Sequence, residues 1–256
     1  MKIKNTLLNF IILLLYFCYP TSAQIKAEIN YKLTVNSSLA SSPYVVNYVD
    51  YIYNNKSIEF PLKIYEKSTT ENISENQAKK VIVSGKPSFT FKNFKNKELK
   101  LTDDISFKRY LIADTINNFK WKITSEHQKI LNYNCTKAVS SFRGRTYTAW
   151  FAEKITIQNG PWKFCGLPGL IIKVYDEKNI FNYEMTGINL RADFDTSIVE
   201  IPSFFVGQKA LNHNEFMILV NKKIEDYKRM SKVITTESNG ATVSGSATLA
   251  EKQEKF

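Results

Sequence analysis

From Ile25 to Val35 the chain alternates: Ile25, Ala27, Ile29, Tyr31, Leu33 and Val35 fall on one side, with Lys26, Glu28, Lys32 and Thr34 among those opposite. A period of two with one apolar face is the signature of a strand that buries half its side chains. After a Ser-rich loop, Tyr44 to Tyr53 resumes a β-prone run that ends at the turn-forming Asn54-Asn55, and Ile58 to Tyr65 returns across that turn. Pro61 lacks a ladder N–H and belongs on an edge or at a bulge. Residues Glu66 to Lys80 read as a polar loop, Val81 to Val83 and Phe89 to Phe94 as short strands around Gly85-Lys86-Pro87, and Leu99 to Ile112 as a further pair with Asp103-Asp104 between its members.

Trp121 to Glu126 and Tyr133 to Phe142 form the next expected hairpin. Thr146 to Phe151 sets Tyr147, Ala149 and Phe151 against Trp150, so aromatics on both sides predict burial on both faces. Ile180 to Ile188 continues the meander, and Phe194 to Val206 is a weaker run broken by Pro202. Only near the end does the period change: Phe216, Leu219, Val220, Ile224, Tyr227 and Met230 recur at three- and four-residue steps, the stripe of one amphipathic helix. Asn212 followed three residues later by Glu215 predicts a capping box at its start. The fold class expected is mainly β, a curved antiparallel sheet or half-open barrel with one C-terminal helix covering its mouth or open edge.

The organising stretch is Gly166-Leu167-Pro168-Gly169-Leu170-Ile171. Pro168 presets φ for the second position of a β-turn, and Gly169 suits the positive φ of a type II turn at the third. Gly166, Pro168 and Gly169 are therefore read as a structural turn that feeds a core strand, Leu170 to Tyr175.

Together with Tyr133-x-Cys135-x-Lys137-Ala138, Phe142-x-Gly144-Arg145, Ala149-Trp150-Phe151 and Gly160-Pro161-Trp162-Lys163-Phe164, that hexapeptide resembles the GLPGLI family, named for it. The resemblance runs from Trp121 to Asp176, with one departure at Thr156, where the pattern carries a Pro. It implies an exported bacterial envelope protein without an assigned activity.

The amino terminus agrees with export. Met1 to Asn5 is short and basic, Leu7 to Tyr19 is nearly all apolar, and Thr21-Ser22-Ala23 places small residues before Gln24, so a signal peptide over 1–23 with cleavage after Ala23 is expected. Residues 24–234 then make one mainly-β domain and 235–256, rich in Ser, Thr, Gly, Ala, Lys and Glu without periodicity, a disordered tail. The apolar run is short for a membrane span, and no transmembrane segment is expected in the mature chain. Phe17 argues against lipid attachment at Cys18, since that processing wants a small residue there. Export places the mature protein in the periplasm or outside the cell.

Composition narrows the partners. The chain is 43% hydrophobic and 13% aromatic, which suits a globular core, and its net charge of +11 becomes +9 once Lys2 and Lys4 leave with the leader. Only five of the 35 basic residues are Arg, and no basic cluster carries interleaved aromatics, so the charge reads as a solvated surface and nucleic acid is not an expected partner. Cys135 and Cys165 remain in an oxidising compartment. They either pair, closing a loop of about 30 residues worth about 3 kcal/mol, or stand as buried thiols.

Candidate chemistry is sparse. His127 and His213 share no metal-binding spacing, so no metal or other cofactor is expected. His127 near Cys135 reads as a solvated imidazole and a buried thiol, and Asp103-Asp104 and Asp193-x-Asp195 as turn carboxylates. Arg143 and Arg145 offer an anion contact, against the plainer reading of a hairpin turn with solvated charges. The function expected is a non-catalytic envelope binding module whose curved face, walled by Trp121, Tyr147, Trp150, Trp162 and Phe164, takes an apolar ligand or a peptide. A periplasmic carrier of lipid and a structural or adhesive module bound to another envelope protein are the alternatives.

Overall fold

A computed structural model describes residues 24–37, 42–62, 86–116, 119–234 and 252–254. The expected signal peptide, the polar loop over Glu66 to Lys80 and the short strand at Val81 to Val83 lie outside the described residues.

The alternating runs become β1 (Lys26–Val35), β2 (Tyr44–Tyr53), β3 (Lys56–Pro61), β4 (Thr90–Asn93), β5 (Glu98–Ile105), β6 (Lys108–Thr115), β7 (Lys122–Ile130), β8 (Tyr133–Phe142), β9 (Arg145–Ala152), β10 (Leu170–Asp176) and β11 (Phe181–Asn189). They form one 11-stranded sheet in the order β6-β5-β4-β3-β2-β1-β11-β10-β9-β8-β7. Every ladder is antiparallel, and no ladder joins β6 to β7, so the sheet is curved and unclosed. Two meanders, β1 to β6 and β7 to β11, meet at the β1–β11 ladder, which pairs Glu28 with Asn189 and Val35 with Phe181.

Pro61 ends β3 opposite Tyr48, beyond the Lys56–Glu59 segment that pairs with β4, so its missing N–H costs no ladder bond. The turn expected at Asp103-Asp104 falls instead at Ser106-Phe107, with Ser106 at φ 57°. Both aspartates stay in β5, and Asp104 accepts two hydrogen bonds from Arg109 across the hairpin, at 2.8 and 2.7 Å. The run from Phe194 to Val206 is not a strand: it folds into two 3-10 turns, Thr196–Ile198 and Ser203–Phe205.

The period-two burial separates the sheet faces. On the inner face Leu33, Val35, Leu99, Leu101, Tyr147, Phe151 and Tyr183 share one cluster with Phe164 and Leu167 of the β9–β10 loop. On the outer face of β2 to β6, Val49, Tyr51, Ile58, Phe60 and Phe91 are covered by Phe194, Val199 and Phe205 from the segment carrying the 3-10 turns. Helix α1 (His213–Ile234) starts with the expected capping box: the Glu215 N–H donates to Asn212 Oδ1 at 2.9 Å and the Asn212 N–H to Glu215 Oε2 at 2.8 Å. It lays Phe216, Met217 and Val220 against the inner cluster beside β5 and β6. Leu211, just before it, forms a parallel bridge with Ile112 and so pairs part of the β6 edge.

Inside the curve lies the β9–β10 loop, 153–169. The chain turns at Gly166, which has φ 87°, whereas Gly169 lies outside the left-handed region. The type II turn expected at Pro168-Gly169 is thus corrected. Glycine is required at 169 because a Cβ there would sit 2.3 Å from the Ala152 carbonyl oxygen, not because of its φ. The strand that follows is core, as expected, with Leu170, Ile171, Ile172 and Val174 all buried.

Candidate functional site

Two layers of polar groups lie under the inner face. In the lower one, Asp50 of β2, Glu59 of β3 and Lys92 of β4 point into the curve, all buried. Lys92 Nζ donates to Asn159 Oδ1 at 2.8 Å and to the Gly160 carbonyl at 2.6 Å, Asn159 Nδ2 donates to Asp50 Oδ2 at 2.8 Å, and the Trp162 N–H reaches Glu59 Oε2 at 3.0 Å. These bonds tie the loop to the sheet and satisfy groups that burial would otherwise leave costly. Burial pushes the Asp50 carboxyl up to about 8 and that of Glu59 to about 7, in spite of Lys92 beside both.

Above this layer the two arms of the sheet approach each other. Arg143 and Gly144 close the β8–β9 hairpin with positive φ at both positions, 42° and 75°. Arg143 thus sits in the turn and Arg145 follows it, and neither is the solvated charge of the plainer expectation: the Arg145 side chain is wholly buried and that of Arg143 is 23% exposed. Arg143 Nη1 lies 2.6 Å from Asp114 Oδ2 on β6 and 2.6 Å from Glu254 Oε1. Lys163, from the loop, completes the cluster at 2.8 Å from Asp114 Oδ2 and 2.8 Å from both Glu254 oxygens, and His213 Nδ1 lies 3.3 Å from Glu254 Oε2. Against the cost of burial, the Lys163 charge, the His213 contact and Arg143 draw the Glu254 carboxyl down to about 2. Asp114 is likewise held well below the usual carboxylate range by Arg143 and Lys163.

Glu254 belongs to the end of the chain, and the described residues 252–254 are packed, unlike the disorder expected for the tail; 235–251 and 255–256 lie outside the described residues. Arg145 Nη2 donates to the Lys252 carbonyl at 2.9 Å, while its Nη1 pairs with buried Asp176 at 2.9 Å. The Tyr147 hydroxyl donates to the Gln253 carbonyl at 2.6 Å, and Gln253 Nε2 donates to the Tyr183 hydroxyl at 2.8 Å. Lys252 Nζ donates to Asp103 Oδ1 at 2.6 Å and lies 5.6 Å from the centre of the Phe216 ring. Asp103 is thus a partner of the tail and not a turn residue. Beside the tail opens a pocket of about 270 Å³, lined by Leu33, Tyr48, Trp162, Phe181 and Tyr183 among others.

The expected aromatic wall is only partly assembled. Tyr147, Trp162 and Phe164 pack on one another with ring centroids 4.9 to 6.4 Å apart, and Trp121 joins them 6.4 Å from Phe164, its indole N–H on the Cys165 carbonyl at 2.8 Å. Tyr147, Trp162 and Phe164 are mutually buried core with Trp121 partly buried against them, and among the five only Trp162 lines the pocket. Trp150 packs in a different cluster with Cys135. Cys135 and Cys165 stand as buried thiols in separate clusters, so the pairing alternative is not adopted. His127 is exposed, its ring 3.2 Å from Thr136 and not on Cys135. Among the described residues no group of three His, Cys, Asp or Glu could hold a metal ion, and no helix is long and apolar enough to cross a membrane.

Sequence reasoning found Arg143 and Arg145 but missed Asp114, Lys163, His213 and Glu254. The one local signal was Lys163 between Trp162 and Phe164, a charge inside an aromatic run.

Residues 141–173, which include the loop and the central hexapeptide, match a family described as "Protein of unknown function (Porph_ging)". No curated protein matches the chain. Among solved structures it is similar to PNGF-II in a C2 crystal form, with a TM-score of 0.50 and 20% identity over 78% of this chain and 33% of that one. The P21 form of PNGF-II gives 0.49 and 19% identity over 78% and 34%. A DUF1329 family protein from Desulfovibrio piger gives 0.26 and 5% identity over 72% and 92%. The chain therefore spans about a third of the length of PNGF-II, and that likeness concerns the fold alone.

Proposed function

We propose that this protein is an exported, non-catalytic binding module of the bacterial envelope, of the GLPGLI kind, that takes its ligand on the inner face of the curved sheet. The observation that carries the reading is the pocket of about 270 Å³ beside residues 252–254, where apolar Leu33, Val35 and Phe181 meet the hydroxyls of Tyr48 and Tyr183. A concave, largely preformed site with a few convergent polar groups is the usual form of a ligand site. The charged side chains that line it are already engaged, Lys252 with Asp103, Asp104 with Arg109, Glu254 with Lys163 and Glu59 with the Trp162 N–H, which suits holding a ligand better than moving protons.

An apolar or amphipathic carrier role fits the same pocket. Native mass spectrometry of protein purified from its own envelope tests both. A bound small-molecule or peptide mass, lost when Leu33 and Phe181 are both changed to polar residues of similar size, is the expected result. A clean apo mass under several extraction conditions counts against a ligand-binding role.

A further inference from the structure

We propose that Arg143, Lys163 and His213, with Arg145 and Tyr147 beside them, form a recognition site for an extended peptide that presents a glutamate side chain, and that Lys252–Glu254 is the copy of that peptide the chain carries for itself. The proposal rests on the reading of the inner face as a binding site and names the chemistry of its ligand.

The contacts to the tail are of the kind that read a peptide. Its main chain is held through two consecutive carbonyls, that of Lys252 by Arg145 at 2.9 Å and that of Gln253 by Tyr147 at 2.6 Å. Such bonds accept any sequence. All three side chains are then read separately: Lys252 by Asp103, Gln253 by Tyr183, and Glu254 by Arg143, Lys163 and His213. The strongest reader is the carboxylate cradle, because charge-assisted bonds to a carboxylate are about twice as strong as neutral ones.

Those donors are built into the fold independently of the tail. Arg145 is fixed by Asp176, whose other oxygen takes the Phe181 N–H at 2.8 Å. Arg143 and Lys163 are both anchored by Asp114, and His213 is set by the start of α1. Asp114 brings one negative charge to two cations, so the cradle keeps a net positive charge that favours a second carboxylate. The pocket continues from the tail along Phe181, Tyr183 and Tyr48, leaving room for a peptide longer than the three described residues.

A tethered tail competes at a local concentration of roughly millimolar, so a peptide supplied by another protein must displace it. The site is consequently self-occupied until a glutamate-bearing segment of higher affinity arrives.

The test uses a chain of residues 24–256 and a fluorescent heptapeptide of residues 250–256, Ala-Glu-Lys-Gln-Glu-Lys-Phe. By anisotropy it should bind the Lys252→Ala/Glu254→Gln double variant at least tenfold more tightly than the wild type, because the internal competitor is weakened. A peptide with Gln in place of its second Glu should bind that variant at least tenfold less tightly, and Arg143→Met introduced into the double variant should narrow the difference between the two peptides at least threefold. Far-UV circular dichroism confirms that each variant is folded; should Arg143→Met unfold, His213→Phe takes its place and should narrow the same difference. Equal binding of the Glu and Gln peptides, or no gain in the double variant, overturns the proposal and leaves the tail as packing only. A small apolar ligand found by mass spectrometry together with either of those results would sink this inference while sparing the binding module itself.

Discussion

Lys92 Nζ and Asn159 Oδ1 lie 2.8 Å apart, both side chains buried, and through them β4 holds the β9–β10 loop inside the curve of the sheet. The same ammonium reaches the Gly160 carbonyl at 2.6 Å, so the cation does the work that a further ladder would do elsewhere. Everything above it depends on this seat: Trp162 against Glu59, and Lys163 toward the tail.

Lys92→Met should therefore cost about 3 kcal/mol of unfolding free energy, the usual range for removing one partner from a buried charged cluster. Urea denaturation measures it. A loss below about 1 kcal/mol, the worth of one ordinary hydrogen bond, would mean that the loop is seated by its aromatic side chains and by the bonds of Asn159 to Asp50 and Trp162 to Glu59 instead.

Gly166→Ala and Gly169→Ala separate two reasons for glycine in one hexapeptide. Gly166 is exposed with φ 87°, and alanine there should cost about 1 to 2 kcal/mol of backbone strain. At Gly169 a methyl would meet the Ala152 carbonyl oxygen at 2.3 Å and Glu153 Cα at 2.8 Å, so strand β9 or the loop must shift, at a cost of about 3 kcal/mol. Denaturation midpoints should rank wild type above Gly166→Ala above Gly169→Ala; the reverse order would mean that the backbone beside Ala152 relaxes around the added methyl and that the φ at Gly166 is the stronger demand for glycine.

The first ladders were legible because burial alternates along β1 and apolar residues alternate with it, as Ala27 to Val35 does without a break. The helix was legible because Asn212 and Glu215 satisfy each other within one turn. What was not legible depends on partners distant in sequence. Asp103 looks like a turn residue until Lys252 is beside it, and Arg145 looks solvated until Asp176 and the Lys252 carbonyl enclose it. The aromatic wall failed for a related reason: Tyr147, Trp162 and Phe164 satisfy one another's surfaces, and a sequence pattern cannot say whether aromatics face a ligand or each other.

Asp50 carries a pH dependence of definite sign. Its folded-state value of about 8 lies above the ordinary 3.8, so between the two the native state keeps a proton that the unfolded state has released, and stability falls as pH rises through that range. Each pH unit costs up to about 1.4 kcal/mol. Asp50→Asn removes the titrating group, so its melting temperature should decline less between pH 5 and 8 than that of the wild type. Glu59, pushed to about 7 by the same burial, leaves part of the slope in place. Parallel pH profiles for the two proteins would show that Asp50 is ionised in the native state.

Glu254 has the opposite sign. Its carboxyl is held at about 2, below the ordinary 4.5, by Lys163, His213 and Arg143, so the stabilisation of the docked tail is fully present above pH 4.5 and is lost as pH falls toward 2. Asp114, the remaining charged group on Arg143 and Lys163, is also held well below the usual carboxylate range by them, and the Glu254→Gln variant separates the Glu254 share from that of Asp103, which holds Lys252. The side-chain amide of Gln253, which donates to the Tyr183 hydroxyl at 2.8 Å, reports docking directly. In proton–nitrogen NMR spectra its resonances should move to solvent-exposed positions between pH 4.5 and 2 in the wild type. In Glu254→Gln they should stand closer to those positions already at pH 7, because the neutral amide gives up the charge-assisted part of the grip. Unchanged Gln253 resonances in that variant would show that the main-chain bonds from Arg145 and Tyr147 hold the tail by themselves.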